Sequence, residues 1–291
     1  MTLVFHQNMR DFGGGAAWRN TNFGLAFTAI NGVTGALYVV AGFTEVMNGA
    51  TSRPVLAGLA AQLDPGLTRL AVIETGCTVG GQREFVGIAW DPAPLTAQYF
   101  GLAYWNSMNK AWQVVNNPMP AAATFTANLP NSLQFGADAR GLAYIAGVWG
   151  GNTYIFGFLH EMYNIRERGL LLEALAFIVK NIRQRIGGGY AAALAIIGGD
   201  INVAPQDREY VRPVALRIAA AQTAAGPPIV WTNTTAANPY DWWVVSSNIA
   251  GRHADVAVRT QTRTYAAGMT PRPTDGANVA PSDHGGITID T

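Results

Sequence analysis

Cysteine is nearly absent: Cys77 is the only one in 291 residues. An intrachain disulfide cannot form, and zinc or iron–sulfur sites built on several thiolates are excluded. Lysine is almost as scarce, with only Lys110 and Lys180 among 19 basic residues. A coding bias that also enriches alanine and glycine accounts for this. Selection against lysine modification in a protein delivered into a eukaryotic cell would leave the same trace. Charge of either sign is lacking in excess, the net being +1, so no strong field points toward nucleic acid or a membrane surface. A polyanionic substrate would need a local patch or a bound cation. No apolar run reaches the roughly 18 residues of a membrane span. The opening "MTLVFHQNMRD" has no basic segment followed by an apolar core, so no signal peptide is expected. The compartment is left undetermined by these features, with the cytoplasm or export by a non-classical route as the options.

What is present suits a large interior: 49% of residues are hydrophobic and 13% charged. The length allows one large domain or two small ones. Residues 2–8 read as a buried strand, followed by a glycine loop at 13–15 and a helix over 20–32. "ALYVVAGFTEV" is a second apolar run, rich in β-branched residues. "RLAVIETG" and "REFVGIAW" flank a glycine turn and predict a hairpin, as do the two halves of "RGLAYIAGVWGGNTYIFGFLH". Residues 98–118 suggest an aromatic-rich meander, and 118–131 read as loop. The clearest helix lies in 165–189, where Leu171, Leu172, Leu175, Ile178, Val179 and Ile182 recur at helical spacing before Gly187. Residues 191–200 form the next strand, 207–226 read as partly helical, and "DWWVVSSNI", "ADVAVRTQTRTY" and "ITID" as closing strands. No fixed-period repeat and no dividing linker appears. Hairpins mixed with crossover helices indicate a mixed-sheet α/β domain.

Several apolar runs end on a polar residue: Asn8, Glu45, His160, then Asp200 and Asn202. Two later runs begin on one: Asp241, then Asp283 and His284. If the first group runs parallel and the last two run against it, all these residues meet at one sheet edge, where open α/β folds place their sites. Acids with amide oxygens suit a hard cation such as Mg²⁺ or Mn²⁺. Two histidines oriented by carboxylates suit acid–base work. Together they are what phosphoester hydrolysis asks for.

In these residues the chain resembles the endonuclease/exonuclease/phosphatase superfamily, and within it the deoxyribonuclease I branch. The likeness rests on six stretches in order: "FHQN", "GFTEV", "GFLHE", "IGGDINVAP", "NPYDWWVVS" and "APSDHGGI". It implies a four-layer α/β sandwich, two mixed β-sheets packed face to face with helices outside, over residues 1–291 as one domain. By the same resemblance, Glu45 with Asn8 would hold the divalent ion and Asp283 would complete the metal side. Asp200 and Asn202 would contact the scissile phosphate and position the nucleophilic water or a second ion. His284, paired with Asp241, would be the base or a phosphate-binding imidazole. His160 would be the second imidazole with Glu84 as its carboxylate, and Arg140 would bind phosphate. The implied activity is a Mg²⁺-dependent phosphodiesterase, a DNA endonuclease of low specificity. A phosphatase or lipid phosphodiesterase on the same scaffold, or a catalytically silent effector keeping the fold, remain alternatives.

Departures from the family pattern are Thr44 in place of Gln, Trp242 and Trp243 after Asp241, and Gly285-Gly286 after the Ser-Asp-His motif. Other features take simpler readings. His6 shares the strand face of Asn8 and reads as a satisfied structural histidine, with a place in the site as the other option. His253 reads as a surface-loop residue, the tryptophans as core or rim packing, and Arg166, Arg168, Arg183 and Arg185 as a solvated helix face. The glycine triplet 13–15 lacks a following GK[ST], which disfavours a phosphate-cradling loop.

Overall fold

The apolar runs fold as strands because most of them are buried on both faces, so each needs partners above and below. The structure is a computed structural model, and it describes residues 2–34, 37–79, 81–106, 109–128, 140–161, 170–202, 216–218, 241–246, 282, 284 and 286–290. Its elements are β1 (Thr2–Phe12), α1 (Ala17–Thr34), β2 (Leu37–Met47), α2 (Gly49–Leu63), β3 (Arg69–Val79) and β4 (Gln82–Trp90). Then come β5 (Leu95–Asn106), β6 (Ala111–Pro118), β7 (Thr124–Ala127), β8 (Leu142–Trp149), β9 (Asn152–His160), α3 (Leu170–Ile186) and β10 (Leu194–Asp200). β11 (Leu216–Ile218), β12 (Asp241–Ser246) and β13 (Ile287–Asp290) complete the described elements.

Among the described residues there are two mixed sheets. One is six-stranded, in the order β13-β1-β2-β4-β3-β7; the other is seven-stranded, in the order β11-β12-β10-β9-β8-β5-β6. Side-chain alternation along each strand builds three apolar layers. Val4, Ile145, Phe158 and Ile196 fill the space between the sheets. Phe5, Phe43, Phe85 and Val72 face outward and pack with Phe23 and Phe27 of α1 and Leu56, Leu59 and Leu63 of α2. Tyr144, Leu159 and Ile197 face the other way, against Leu175, Ile178 and Ile182 of α3. Helix, sheet, sheet, helix is the expected four-layer α/β sandwich. No described helix is long and apolar enough to cross a membrane.

Three local expectations change. Residues 118–131 are not all loop: Thr124–Ala127 forms β7, parallel to β3. Its period-two pattern puts Phe125 against Phe100, ring centroids 4.8 Å apart. Within 207–226, Leu216–Ile218 is a strand paired antiparallel to β12, because an open sheet edge outweighs local helix preference. Helix α2 has no counterpart in the sequence reading. Pro54 removes one of its backbone bonds, and its stability comes from burying Leu56, Leu59 and Leu63 on the sheet. The strand expected at 254–265, His253 and Arg166 lie outside the described residues.

Sheet spacing is set by unequal partners. A Cβ on Gly42 of β2 would lie 2.0 Å from the ring of Phe158 of β9, in the opposite sheet. The glycine is therefore the socket for that ring. Gly42→Val should lower stability by about 1–3 kcal/mol or more through overpacking. In urea unfolding the midpoint should fall with the slope unchanged, and Phe158→Leu in the same chain should recover part of the loss.

Candidate active site

Strand direction decides which residues can meet. β1 and β2 are parallel, as are β9 and β10. Against them run β13, β4, β8 and β12. The trailing ends of the first set and the leading ends of the second fall at one edge. There the structure collects Asn8, Glu45, His160, Asp200 and Asn202 with Glu84, Arg140, Asp241 and His284. Asp283 lies outside the described residues.

Two bulges aim the side chains. Phe43 and Val46 both face the outer apolar layer although three residues apart, so β2 carries one residue more than alternation allows. The insertion lets Thr44 and Glu45 both turn inward, with Glu45 at φ 54°. β1 does the same between Met9 and Phe12, with Arg10 at φ 45° and Asp11 at φ 53°. Asn202, just past β10, has φ 54°. Non-glycine residues seldom hold such angles, and here they cluster at the strand ends that carry the polar groups.

Asp200 is the hub. Its Oδ2 accepts from Asn8 Nδ2 at 3.0 Å and lies 3.8 Å from His160 Nε2 and 3.5 Å from His284 Nε2. Asn8 Nδ2 also donates to Glu45 Oε1 at 2.9 Å, while its Oδ1 accepts from Arg10 N at 2.8 Å. Asn8 thus faces both carboxylates with its amide nitrogen. Glu45 Oε1 is 3.1 Å from His160 Nε2.

Each imidazole is backed by a buried acid. His160 Nδ1 is 3.2 Å from Glu84 Oε1, and Glu84 Oε2 accepts from Arg140 Nε at 3.0 Å. His284 Nδ1 is 2.5 Å from Asp241 Oδ2. Glu84 and Asp241 are fully buried, whereas Glu45 and Arg140 are partly open to solvent. The structure therefore brings together nine of the ten sequence-predicted residues, supporting groups inside and Glu45 at the mouth.

Some contributors had weak or no sequence signal. The Glu161 carbonyl accepts from Arg140 Nη1 at 3.2 Å and Asn202 Nδ2 at 2.7 Å, and the Asp11 backbone N–H donates to Glu45 Oε2 at 3.2 Å. Backbone groups carry no side-chain identity to read. Gln7 Nε2 donates to the His284 carbonyl at 3.0 Å, and Ser282 Oγ donates to the Asn8 carbonyl at 2.8 Å, docking the last segment on β1. His6 lies behind the site, its Nδ1 3.7 Å from Asp241 Oδ1. Its signal was the shared strand face with Asn8.

Charge at the site is unbalanced in an informative way. Burial alone would lower the His160 pKa, but Glu45 and Glu84 outweigh it and Arg140, and the ring sits above its ordinary value. Burial would raise Glu45, yet His160 and the Asn8 hydrogen bond hold it below the usual range. Asp200 is pushed up by burial and by its neighbours Asp241 and Glu45, against the pull of both histidines. Burial pushes His6 down to about 4, so this ring is neutral. A carboxylate raised by crowding is one that a cation would relieve. The ligand atoms of Glu45, His160 and Asp200 lie within 4.8 Å of one another, as do those of Asp200, Asp241 and His284. The donor set fits a hard divalent ion at Glu45 and Asp200.

No protein-family model matches the chain, and no curated protein sequence matches it. Solved structures do. TDP2 from D. rerio, complexed with single strand DNA product, is 12% identical, with TM-score 0.59 over 99% of this chain and 97% of that one. A mannosyl-6-phosphatase from Bacteroides thetaiotaomicron is 16% identical, with TM-score 0.57 over 100% and 99%. An endonuclease/exonuclease/phosphatase family protein from the same organism is 14% identical, with TM-score 0.57 over 99% and 93%. At these identities the likeness is one of fold, and it agrees with the strand order, the layers and the sheet edge described above: the chain has the endonuclease/exonuclease/phosphatase fold, the architecture of deoxyribonuclease I.

Proposed function

We propose that the chain is a divalent-metal-dependent phosphodiesterase acting on DNA as an endonuclease of low sequence specificity. The observation that carries this reading is the pair of histidines, each backed by its own buried carboxylate, converging on Asp200. In this reading Glu45 and Asp200 would hold Mg²⁺ or Mn²⁺, with Asp283 as a further ligand, and such an ion would supply Lewis-acid polarisation of a phosphoryl oxygen and neutralise phosphate charge.

The protein's own groups do the rest. Asp241 accepts a hydrogen bond from His284 Nδ1–H, which turns Nε2 toward the attacking water to take its proton. The water oxygen forms the new bond to phosphorus as the ester oxygen leaves. His160 keeps its proton because two carboxylates flank it, and it delivers that proton to the leaving oxygen. Arg140, clamped by Glu84, brings fixed positive charge to the phosphate, and Asn202, anchored on the Glu161 carbonyl, contacts the same group. Asn8 aligns the two metal-side carboxylates.

A second reading, a phosphomonoesterase, is favoured by one fact: the mannosyl-6-phosphatase shares this fold over nearly all of both chains. The two separate on a panel of plasmid DNA, RNA, bis-p-nitrophenyl phosphate, p-nitrophenyl phosphate, inositol phosphates and sphingomyelin. Nicking of plasmid with little release from monoesters is the expected result. Release from monoesters alone puts the second reading first. No turnover in Mg²⁺ or Mn²⁺ rejects both in favour of a silent protein keeping the fold.

His160→Ala and His284→Ala should each lower kcat by about 10²–10⁴-fold with the circular dichroism spectrum unchanged, and EDTA should stop the wild type. Divalent ion should also raise the melting temperature without substrate. At 100-fold above Kd the gain is about 2.7 kcal/mol. Glu45→Gln should remove most of that shift in a thermal scan against Mn²⁺ concentration.

A further inference from the structure

The His6 imidazole is fully buried, so it cannot touch substrate. Its ring is stacked with Phe158, 16° between planes and 6.1 Å between centroids, which fixes the direction of both nitrogens. Nε2 is 3.1 Å from Thr44 Oγ1. Nδ1 makes no hydrogen bond and looks toward Asp241 Oδ1 at 3.7 Å. The other oxygen of Asp241 meets Nδ1 of His284 at 2.5 Å. One buried carboxylate thus stands between two imidazoles.

A neutral imidazole has one N–H and one lone pair. A lone pair on Nδ1 would face a carboxylate oxygen in a dry interior and repel it. The proton therefore belongs on Nδ1, and the Thr44 hydroxyl donates to Nε2. At 3.7 Å the approach to Asp241 is a charge–dipole contact rather than a hydrogen bond, and low dielectric preserves its strength. We propose that His6, with its tautomer set by Thr44, is a positioning residue that holds Asp241 turned toward His284. This deepens the phosphodiesterase reading and rests on it for its catalytic meaning. It also gives the Thr44 departure a use: a hydroxyl at this position is what a histidine at position 6 needs.

The test follows the His284 Nδ1 proton by NMR in the full-length, histidine-¹⁵N-labelled protein, without metal or substrate. His6→Ala should lose or broaden that resonance. His6→Asn, whose side-chain NH₂ replaces the Nδ1 donor, should restore it. With bis-p-nitrophenyl phosphate and Mn²⁺, kcat should fall about 10–100-fold in H6A with KM held, and recover in H6N. Should H6A fail to fold, Thr44→Val keeps the ring and removes only the hydroxyl. It should move the His6 ¹⁵N shifts toward the other tautomer and weaken the His284 resonance. An unchanged His284 resonance in folded H6A or T44V overturns the proposal, as does failure of H6N to restore it. A chain that turns over no substrate yet loses the resonance in H6A supports the positioning role and rejects the phosphodiesterase reading alone.

Discussion

A site assembled from two sheets exists only if both sheets end their strands at the same edge and at a fixed spacing. The Gly42–Phe158 contact supplies the spacing, and the parallel pairs β1–β2 and β9–β10 supply the common direction. Every distance at the site inherits from these two facts. Glu45 and Asn8 belong to one sheet, His160 and Asp200 to the other, yet their polar atoms lie about a hydrogen bond apart. A shift of one sheet against the other by a fraction of a side chain would separate the carboxylates from the imidazoles. This is why a close-packed interior matters to the geometry at its rim.

The same edge concentrates charge. Glu45, Glu84, Asp200 and Asp241 face two histidines and Arg140, so acids outnumber the cations that face them. Burial makes the imbalance costly, and the raised Asp200 and lowered Glu45 show the site distributing it unevenly. Glu84 and Asp241 solve part of the problem by each serving a donor on the interior side. The remaining negative charge sits where a cation can enter. On the proposed function, fold stability and cation affinity would be linked through the same few carboxylates.

Much of this was legible in the sequence because strand ends leave a mark: an apolar run that stops on Glu45, His160 or Asp200 has little reason to do so in a core. Six such marks in order carry the resemblance that implied the sandwich, and they hold seven of the clustered residues; Glu84 and Arg140 came from the resemblance alone. Helix α2 was not legible, since Pro54, Gly49 and Gly58 argue against a helix that tertiary burial sustains. β7 and β11 were hidden for a similar reason: strands of four and three residues gain their identity from a neighbouring edge, not from their own pattern. The bulges were invisible too. Period-two reading places Thr44 and Glu45 on opposite faces, and only the extra residue brings them to one. His6 was legible by its face but not by its partner, because Asp241 lies 235 positions downstream in sequence.

Those bulges have a further consequence. Each strand resumes its ladder after the inserted residue, so Val46 and Phe12 return to the outer layer as though nothing had intervened. The positions inside the bulge answer to the mouth, and the flanking positions answer to the interior. Exchanging donors at the mouth need not disturb the scaffold, and the scaffold can drift in sequence without moving the donors. An architecture divided in this way is free to change what it acts on by a handful of replacements, which is one physical route by which chains sharing so few identical residues can keep one shape.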